Sequence, residues 1–161
     1  MEAFISIAVV LLLVAGFVFW QTRKYKDAFL DKLPLLPGEK ILFEEKSKKL
    51  EASIGSRIPL RIFPNSMTRI TNFRLIISQK VLGSERMALR YVFNFNENKE
   101  EIEPYLGYTS MKVKKSNISL VEENKETKIE IRPTVSAGTL VPYWVRITPE
   151  NLLACRKALG L

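Results

Sequence analysis

The chain has 161 residues, with 25 lysines and arginines against 17 acidic residues, and a formal net charge of +8. It contains no histidine, which excludes a histidine base and a zinc site with imidazole ligands. Its single cysteine, Cys155, excludes an intrachain disulfide and favours a reducing compartment.

Residues 3–20 form an apolar segment that has no charge and only one clearly polar residue, Ser6. As a helix rising about 1.5 Å per residue, this segment covers roughly 27 Å, close to the hydrocarbon thickness of a bilayer. A cleavable signal peptide would begin with positive charge and end in a small-residue site, and neither is present. A buried core helix is the other alternative, but soluble helices are rarely apolar on all sides. We therefore predict a transmembrane helix over residues 1–21, spanning Ala3 to Trp20.

The charges that flank this segment predict its orientation. Arg23, Lys24 and Lys26 follow it directly, whereas Glu2 is the only charge before it. By the positive-inside rule, the N-terminus lies outside and the C-terminal part lies in the cytoplasm. The sequence thus predicts a single-pass membrane protein with a cytoplasmic domain.

Residues 22–35 are predicted to be a juxtamembrane helix or linker. Apolar residues recur at helical spacing over 21–33, and this helix either lies along the membrane surface or packs on the domain. Pro34 and then Pro37-Gly38 end it. Because this connection is short, we expect the domain to sit close to the bilayer.

From residue 39 onward the apolar residues follow the two-residue period of strands. Leu89, Tyr91, Phe93 and Phe95 are predicted to share one face of a strand. An acidic segment, 96–107, is predicted to be a solvated loop. The predicted strands are 40–44, 50–54, an edge strand at 58–63, two short strands around Asn72, 88–95, 111–114, 118–122, 127–131 and 140–147.

The chain is predicted to end in an amphipathic helix. Thr148 suits the N-cap, Pro149 suits the first helical position, and Gly160 suits the end of the helix. Its apolar stripe is predicted to consist of Leu152, Leu153, Cys155 and Leu159. Several strands followed by one helix predict a mainly β fold rather than a parallel α/β sheet.

Two short motifs resemble the GRAM and bacterial PH-like domains of the pleckstrin-homology superfold. Residues 36–42, LPGEKIL, resemble the opening of those domains, and residues 70–78, ITNFRLIIS, resemble one of their hairpins. The resemblance covers 36–161 and implies an antiparallel β-barrel capped by a C-terminal α-helix. From the residues themselves, we expect Thr71-Asn72 to form a tight corner and Arg74 to pair with an acidic neighbour. These motifs indicate a fold rather than a chemistry.

The basic residues provide the candidate sites for anionic lipid. The part of the chain after residue 20 carries an excess charge of +9 (25 − 16), which suits an anionic membrane face or a nucleic acid. Many eukaryotic PH domains bind phosphoinositide headgroups through a basic cluster. The spacing of the basic residues in this chain does not match that cluster, so we do not predict phosphoinositide specificity. The alternatives are topology determinants for the first three residues and a solvated surface for the others. The candidates are Arg23, Lys24, Lys26, Lys46, Lys48, Lys49, Arg57 and Arg61.

Other classes of function find less support in the sequence. Lys112, Lys114 and Lys115 accompany aromatic residues, but these alternate as core residues do, so we expect no nucleic-acid partner. There is no phosphate-binding glycine-rich loop, and the acidic residues 97–103 read as a polar loop rather than a site. Cys155 is expected to be a packed thiol. The sequence predicts no catalytic residue, metal site or cofactor.

Together these features predict a non-enzymatic binding or scaffolding module at the membrane surface. Its partner is predicted to be another protein or a second copy of the chain. Contact of the basic residues with anionic lipid headgroups is the alternative. Strand addition to an open sheet edge, or a groove beside the last helix, would serve a protein partner.

Overall fold

The computed structural model describes residues 28–53, 61–95, 109–134 and 142–161, together with five helical positions between 12 and 19. This part of the chain is mainly β with a C-terminal helix, as predicted, and its sheet within these residues is a curled half-barrel rather than a complete barrel. The strands are β1 (Ile41–Ser53), β2 (Arg61–Phe63), β3 (Ser66–Thr71), β4 (Arg74–Lys80), β5 (Met87–Asn94), β6 (Thr109–Lys112), β7 (Ile118–Glu123), β8 (Glu126–Ile131) and β9 (Trp144–Pro149). The helix is α1 (Leu152–Leu159), and short 3₁₀ turns occur at Leu30–Lys32 and Lys115–Asn117.

The long strand β1 belongs to both halves of the sheet. The strand order is β6-β5-β4-β3-β1-β9-β8-β7, with β2 also paired to β1. The first half of β1 pairs with β3, and its second half pairs with β9 on one edge and β2 on the other. Its register with β9 shifts between Ser47 and Lys49, and such irregularities bend a strand and increase its twist. The bend lets one strand join the two halves.

All strand pairs are antiparallel except β5 and β6, which are parallel. The outermost strand at the other end of the strand order, β7, pairs with β8 alone among the described strands. Ser119, Leu120 and Glu122 on it are exposed. Within the described residues, β7 is therefore an edge strand open to solvent.

The main hydrophobic core fills the face of the sheet against which α1 packs, here called the core face. Leu50, Ile70, Phe93 and Ile147 are fully buried there, and α1 contributes Cys155 and Leu159. The helix begins after Asn151, whose side chain accepts a hydrogen bond from the Ala154 amide at 3.0 Å. It ends at Gly160, which has the left-handed φ of 74° that favours glycine at this position.

The segment 28–33, here called the docked segment, packs against the opposite, outer face of β4 and β5. Leu30 and Leu33 are buried against Ile76, Leu89 and Val92. Its backbone also joins the sheet, because the Leu89 amide donates to the Ala28 carbonyl at 2.7 Å. The expected helix is absent at residues 28–33, where an extended bridge at Phe29 leads into the 3₁₀ turn. The linker is predicted either to lie along the membrane surface or to pack on the domain, and residues 28–33 pack on the domain.

Three details of the strand and helix predictions are wrong. The charged residues 45–49 do not interrupt β1, because on an exposed strand they can face solvent or ion-pair across the sheet. Leu89 does not share the face of Tyr91 and Phe93, since a register shift makes Arg90 an extra residue between them. Thr148 and Pro149 belong to β9 instead of the helix, and Leu153 is exposed.

The predicted membrane span at residues 3–20 lies outside the described residues except for Leu12, Leu13, Ala15, Gly16 and Phe19, which are helical. Among the described residues, no helix has the length and apolar character needed to cross a bilayer. The span and its orientation stay predictions. The predicted turn at Gly55-Ser56 and the predicted loop at 96–107 also lie outside the described residues.

The docked segment should contribute measurably to stability. Leu30→Ala removes a buried side chain, and we expect the free energy of unfolding to fall by about 2–5 kcal/mol. Chemical unfolding of the full chain in detergent, followed by tryptophan fluorescence, measures this. Leu35→Ala is the matched control, because Leu35 is 47% exposed and should change stability by only about 0.5 kcal/mol. Equal losses for the two variants would contradict docking.

Candidate functional site

Glu39 and Arg74 form a buried ion pair that links the two sequence motifs. The Arg74 Nε donates to Glu39 Oε1 at 2.9 Å, and its terminal nitrogen donates to Oε2 at 2.5 Å. Thr71 Oγ1 donates to Oε1 at 2.6 Å, and the Leu36 amide donates to Oε2 at 2.7 Å. The Glu39 side chain is fully buried and that of Arg74 is 8% exposed. This confirms the expected pairing of Arg74 with an acidic neighbour.

Asn72 fastens the same two segments through their backbones. Its Oδ1 accepts from the Lys40 amide at 2.8 Å, and its Nδ2 donates to the Gly38 carbonyl at 3.1 Å. Gly38 has a φ of 78°, which permits the turn that leads into β1. Thr71 closes the corner by accepting from the amides of Phe73 and Arg74. We call the set Glu39, Thr71, Asn72 and Arg74 the motif clamp.

The charge of Glu39 is stabilised by the motif clamp. Burial by itself raises the pKa of Glu39, but the hydrogen bonds from Arg74, Thr71 and the Leu36 amide outweigh burial and hold the pKa below its usual 4.5. Both carboxylate oxygens already accept two hydrogen bonds each. A carboxylate so engaged positions the backbone and is poorly suited to act as a general base.

A second charged set, here called the charged band, crosses the outer face of β1, β9 and β8 and reaches β7. Lys128 Nζ donates to Glu51 and Glu123, both at 2.7 Å, and Arg146 Nε donates to Glu130 at 2.7 Å. The register explains the arrangement, because Arg146 lies between Glu51 on β1 and Glu130 on β8. The full set is Lys49, Glu51, Glu123, Lys128, Glu130, Arg132 and Arg146.

Glu51, Lys128 and Glu130 of the charged band are buried, and the pKa values of Glu51 and Lys128 reflect their pairing. Burial lowers the pKa of Lys128, but its hydrogen bonds to Glu123 and Glu51 raise the pKa above 10.5. Burial raises the pKa of Glu51, and the hydrogen bonds from Lys128 and Lys49 bring it below 4.5. The charges of the band are therefore engaged with one another across the strands, and removing one buried partner would leave another buried charge uncompensated.

The predicted lipid-contact residues are only partly within the described structure. Arg23, Lys24, Lys26 and Arg57 lie outside the described residues, as does the side chain of Arg61 on β2. Lys46 and Lys48 are exposed on β1. Lys49 differs from them, because its ammonium pairs with Glu51 at 2.8 Å in the charged band. Within the described structure, Lys46 and Lys48 therefore remain candidates for contact with anionic lipid.

The turn between β4 and β5, residues 81–86, holds surface residues that the sequence reading missed. We call it the hairpin tip. Its backbone is well fixed, since the Val81 amide donates to the Arg86 carbonyl at 3.0 Å and the Arg86 amide donates to Ser84 Oγ at 3.1 Å. Leu82 on it is 80% exposed. An apolar residue directly before the recognised Gly83-Ser84 turn was the available sequence signal.

The cations beside the hairpin tip are held by acidic neighbours. Lys80 Nζ donates to both oxygens of Glu85 at 2.8 and 2.9 Å, and this bond lowers the pKa of Glu85. The guanidinium of Arg86 lies over the ring of Phe29 at 3.5 Å and pairs with Asp31. Arg86 thereby ties the hairpin tip to the docked segment.

Cys155 is the packed thiol that the sequence predicts. It is fully buried in the core, and burial raises the pKa of its thiol to about 12. At neutral pH such a thiol is protonated and inert. Within the described ranges, no cluster of acidic or cysteine side chains has the grouping that a metal ion needs.

No protein-family model, curated protein or solved structure matches this chain.

Removing one partner of the motif clamp should destabilise the chain strongly. Arg74→Ala leaves the Glu39 carboxylate buried and unpaired, and we expect a loss of about 3–5 kcal/mol in the free energy of unfolding. Lys80→Ala breaks an exposed pair and is the control, with an expected loss of at most about 1 kcal/mol. Denaturant unfolding of the two variants measures the difference. A loss for Arg74→Ala as small as the control value would show that the clamp is dispensable.

The motif clamp should also give the fold a characteristic acid sensitivity. Because the pKa of Glu39 is lower in the folded state, the unfolded state binds more protons below pH 4.5, and stability falls as the pH drops through that range. The Glu39→Gln variant has no carboxyl to titrate there, so its stability should fall less steeply. Denaturant midpoints measured over a pH series compare the two slopes. Identical slopes would rule out a stabilising Glu39 charge.

Proposed function

We propose that this chain is a non-enzymatic, single-pass membrane protein whose PH/GRAM-like domain binds or scaffolds a protein partner at the cytoplasmic membrane surface. The observation that carries the proposal is the docked segment. Ala28 follows the end of the predicted span at Trp20 by eight residues, which reach at most roughly 26–29 Å when extended. Because the docked segment is bonded to β5, the sheet itself is held within that distance of the bilayer.

The motif clamp supports the grouping with PH- and GRAM-like domains. The two segments that resemble those domains, 36–42 and 70–78, contact each other through Glu39, Arg74 and Asn72. A curled, mainly antiparallel sheet with a helix at its end is compatible with the barrel and helix that the resemblance implies.

A binding role rather than catalysis is supported by the state of the reactive groups. Glu39 and the carboxylates of the charged band accept hydrogen bonds from cations, and the Cys155 thiol is buried and protonated. Among the described strands β7 pairs with β8 alone, so its other edge can accept an extended segment of another chain. Strand addition there is the mode of binding we propose.

The alternative function is contact of the same domain with anionic lipid headgroups. The observation that favours it is the exposure of Lys46 and Lys48 on β1. Near an anionic surface each basic residue contributes about 1 kcal/mol.

Photo-crosslinking in membranes tests the proposed function. A photoreactive amino acid in place of Leu120, which is exposed on β7, should give a discrete crosslinked species. The double variant Leu11→Arg with Leu13→Arg should abolish that species, because each charge at the centre of a span costs about 2.5–3.5 kcal/mol and the chain would leave the membrane.

The control carries two leucine-to-arginine changes at exposed positions, Leu153→Arg and Leu161→Arg, and should keep both the membrane association and the crosslink. Alkaline extraction of the membranes reports the association separately. A chain that is extracted without any substitution, or that stays strictly monomeric and uncrosslinked, would overturn the proposal.

A further inference from the structure

The hairpin tip places an isolated apolar side chain at the surface. Leu82 is the most exposed of the large apolar residues in the described part of the chain, at 80%. Full exposure leaves most of its apolar area in water, which costs roughly 25 cal/mol for each Å². The turn itself is held by hydrogen bonds from the Val81 amide to the Arg86 carbonyl and from the Arg86 amide to Ser84 Oγ.

The hairpin tip lies beside the docked segment, through which the chain reaches the sheet. Phe29 is buried against Val81 and Ala88, at the two ends of the turn. Arg86 holds the same corner through Phe29 and Asp31. Leu82 is therefore close to the docked segment. That segment begins at Ala28, which lies within roughly 26–29 Å of the end of the predicted span at Trp20.

The surroundings of the hairpin tip are basic and exposed. Lys46 lies opposite Met67, which lies opposite Ser78 on β4, so the strand register brings Lys46 to the same end of the sheet as Lys80. Lys80 and Arg86 here pair with Glu85 and Asp31, whereas Lys46 and Lys48 are exposed on β1.

We propose that the hairpin tip contacts the bilayer that holds the chain's own span, with Leu82 entering the interface and the surrounding cations facing the headgroups. An apolar tip ringed by basic side chains is suited to a membrane interface, where the apolar group leaves water and the charges stay hydrated. The docked segment and the hairpin tip then form two points of attachment. Two points fix the tilt of the sheet, and they leave the β7 edge free for a partner.

This inference rests on the membrane anchoring of the proposed function. The full chain is reconstituted in phosphatidylcholine vesicles with and without phosphatidylglycerol, and a thiol-reactive, polarity-sensitive fluorophore is attached to Leu82→Cys. The native Cys155 is buried and protonated, so labelling is selective. Leu153→Cys is the matched control, because Leu153 is also a leucine and is 77% exposed, but on α1.

The label at position 82 should shift its emission to the blue and lose intensity when the lipids carry brominated acyl chains, whereas the label at 153 should do neither. Leu82→Asp provides a second check with the label on Glu85→Cys, where the added charge should abolish the quenching. Phosphatidylglycerol should increase the quenching at 82 if the cations face the headgroups.

The possible failures are distinguishable. If the chain does not float with the vesicles, the proposed anchoring fails and this inference falls with it. If the chain floats but the labels at 82 and 153 behave alike, the anchoring stands and only the contact of the hairpin tip is refuted.

Discussion

The buried pair of Glu39 and Arg74 determines how the N-terminal part of the domain lies on the sheet. Arg74 faces outward from β4, and it also donates to the Pro34 carbonyl at 2.9 Å. The pair thereby holds residues 34–39 across the outer face, directly after the docked segment. Together with the hydrogen bonds of Asn72, it fixes the direction in which the chain leaves Leu33. The apolar contact of the docked segment is thus followed by polar contacts that fix the course of residues 34–39.

The two faces of the sheet are stabilised by different means. On the core face, aliphatic and aromatic side chains pack beneath α1, as the two-residue period requires. On the outer face, the docked segment covers β4 and β5, whereas charges cover β1, β9 and β8. Buried charges contribute to stability only when every partner is in place. The outer face is therefore specified by pairing and tolerates fewer substitutions than its polarity suggests.

The sequence predicts well those features that depend on local pattern. The positions of β4, β5, β7 and β8 and the glycine end of α1 follow from apolar period and from backbone preference. The pairing of Arg74 was also accessible, because a charge on a buried strand needs a partner. The sequence could not show which face of the sheet Leu89 occupies. Arg90 is an extra residue that inverts the alternation, and its position depends on the pairing with β4.

Non-local contacts account for the remaining differences. Because they are charged, residues 45–49 are predicted to separate two strands. In the structure they continue β1, because β3 and β9 pair with this part of the chain. The docked segment had a helical spacing of apolar residues, and its contacts with β5 replaced the helix. The alternating charges of residues 128–132 are visible in the sequence, but the pairing of Lys128 with Glu51 is not, because the two residues are far apart in the chain. Such features appear only once strand order is known.

The bond between Ala28 and Leu89 also imposes an order on folding during synthesis. A ribosome that adds about 5–20 residues per second needs about 3–12 s to make the 61 residues from one partner to the other. During that interval Phe29, Leu30 and Leu33 have no sheet to cover and expose their apolar surface. The docked segment can be covered only after the β4–β5 hairpin has been made. One of the first segments of the domain to be synthesised therefore waits for strands that are made later.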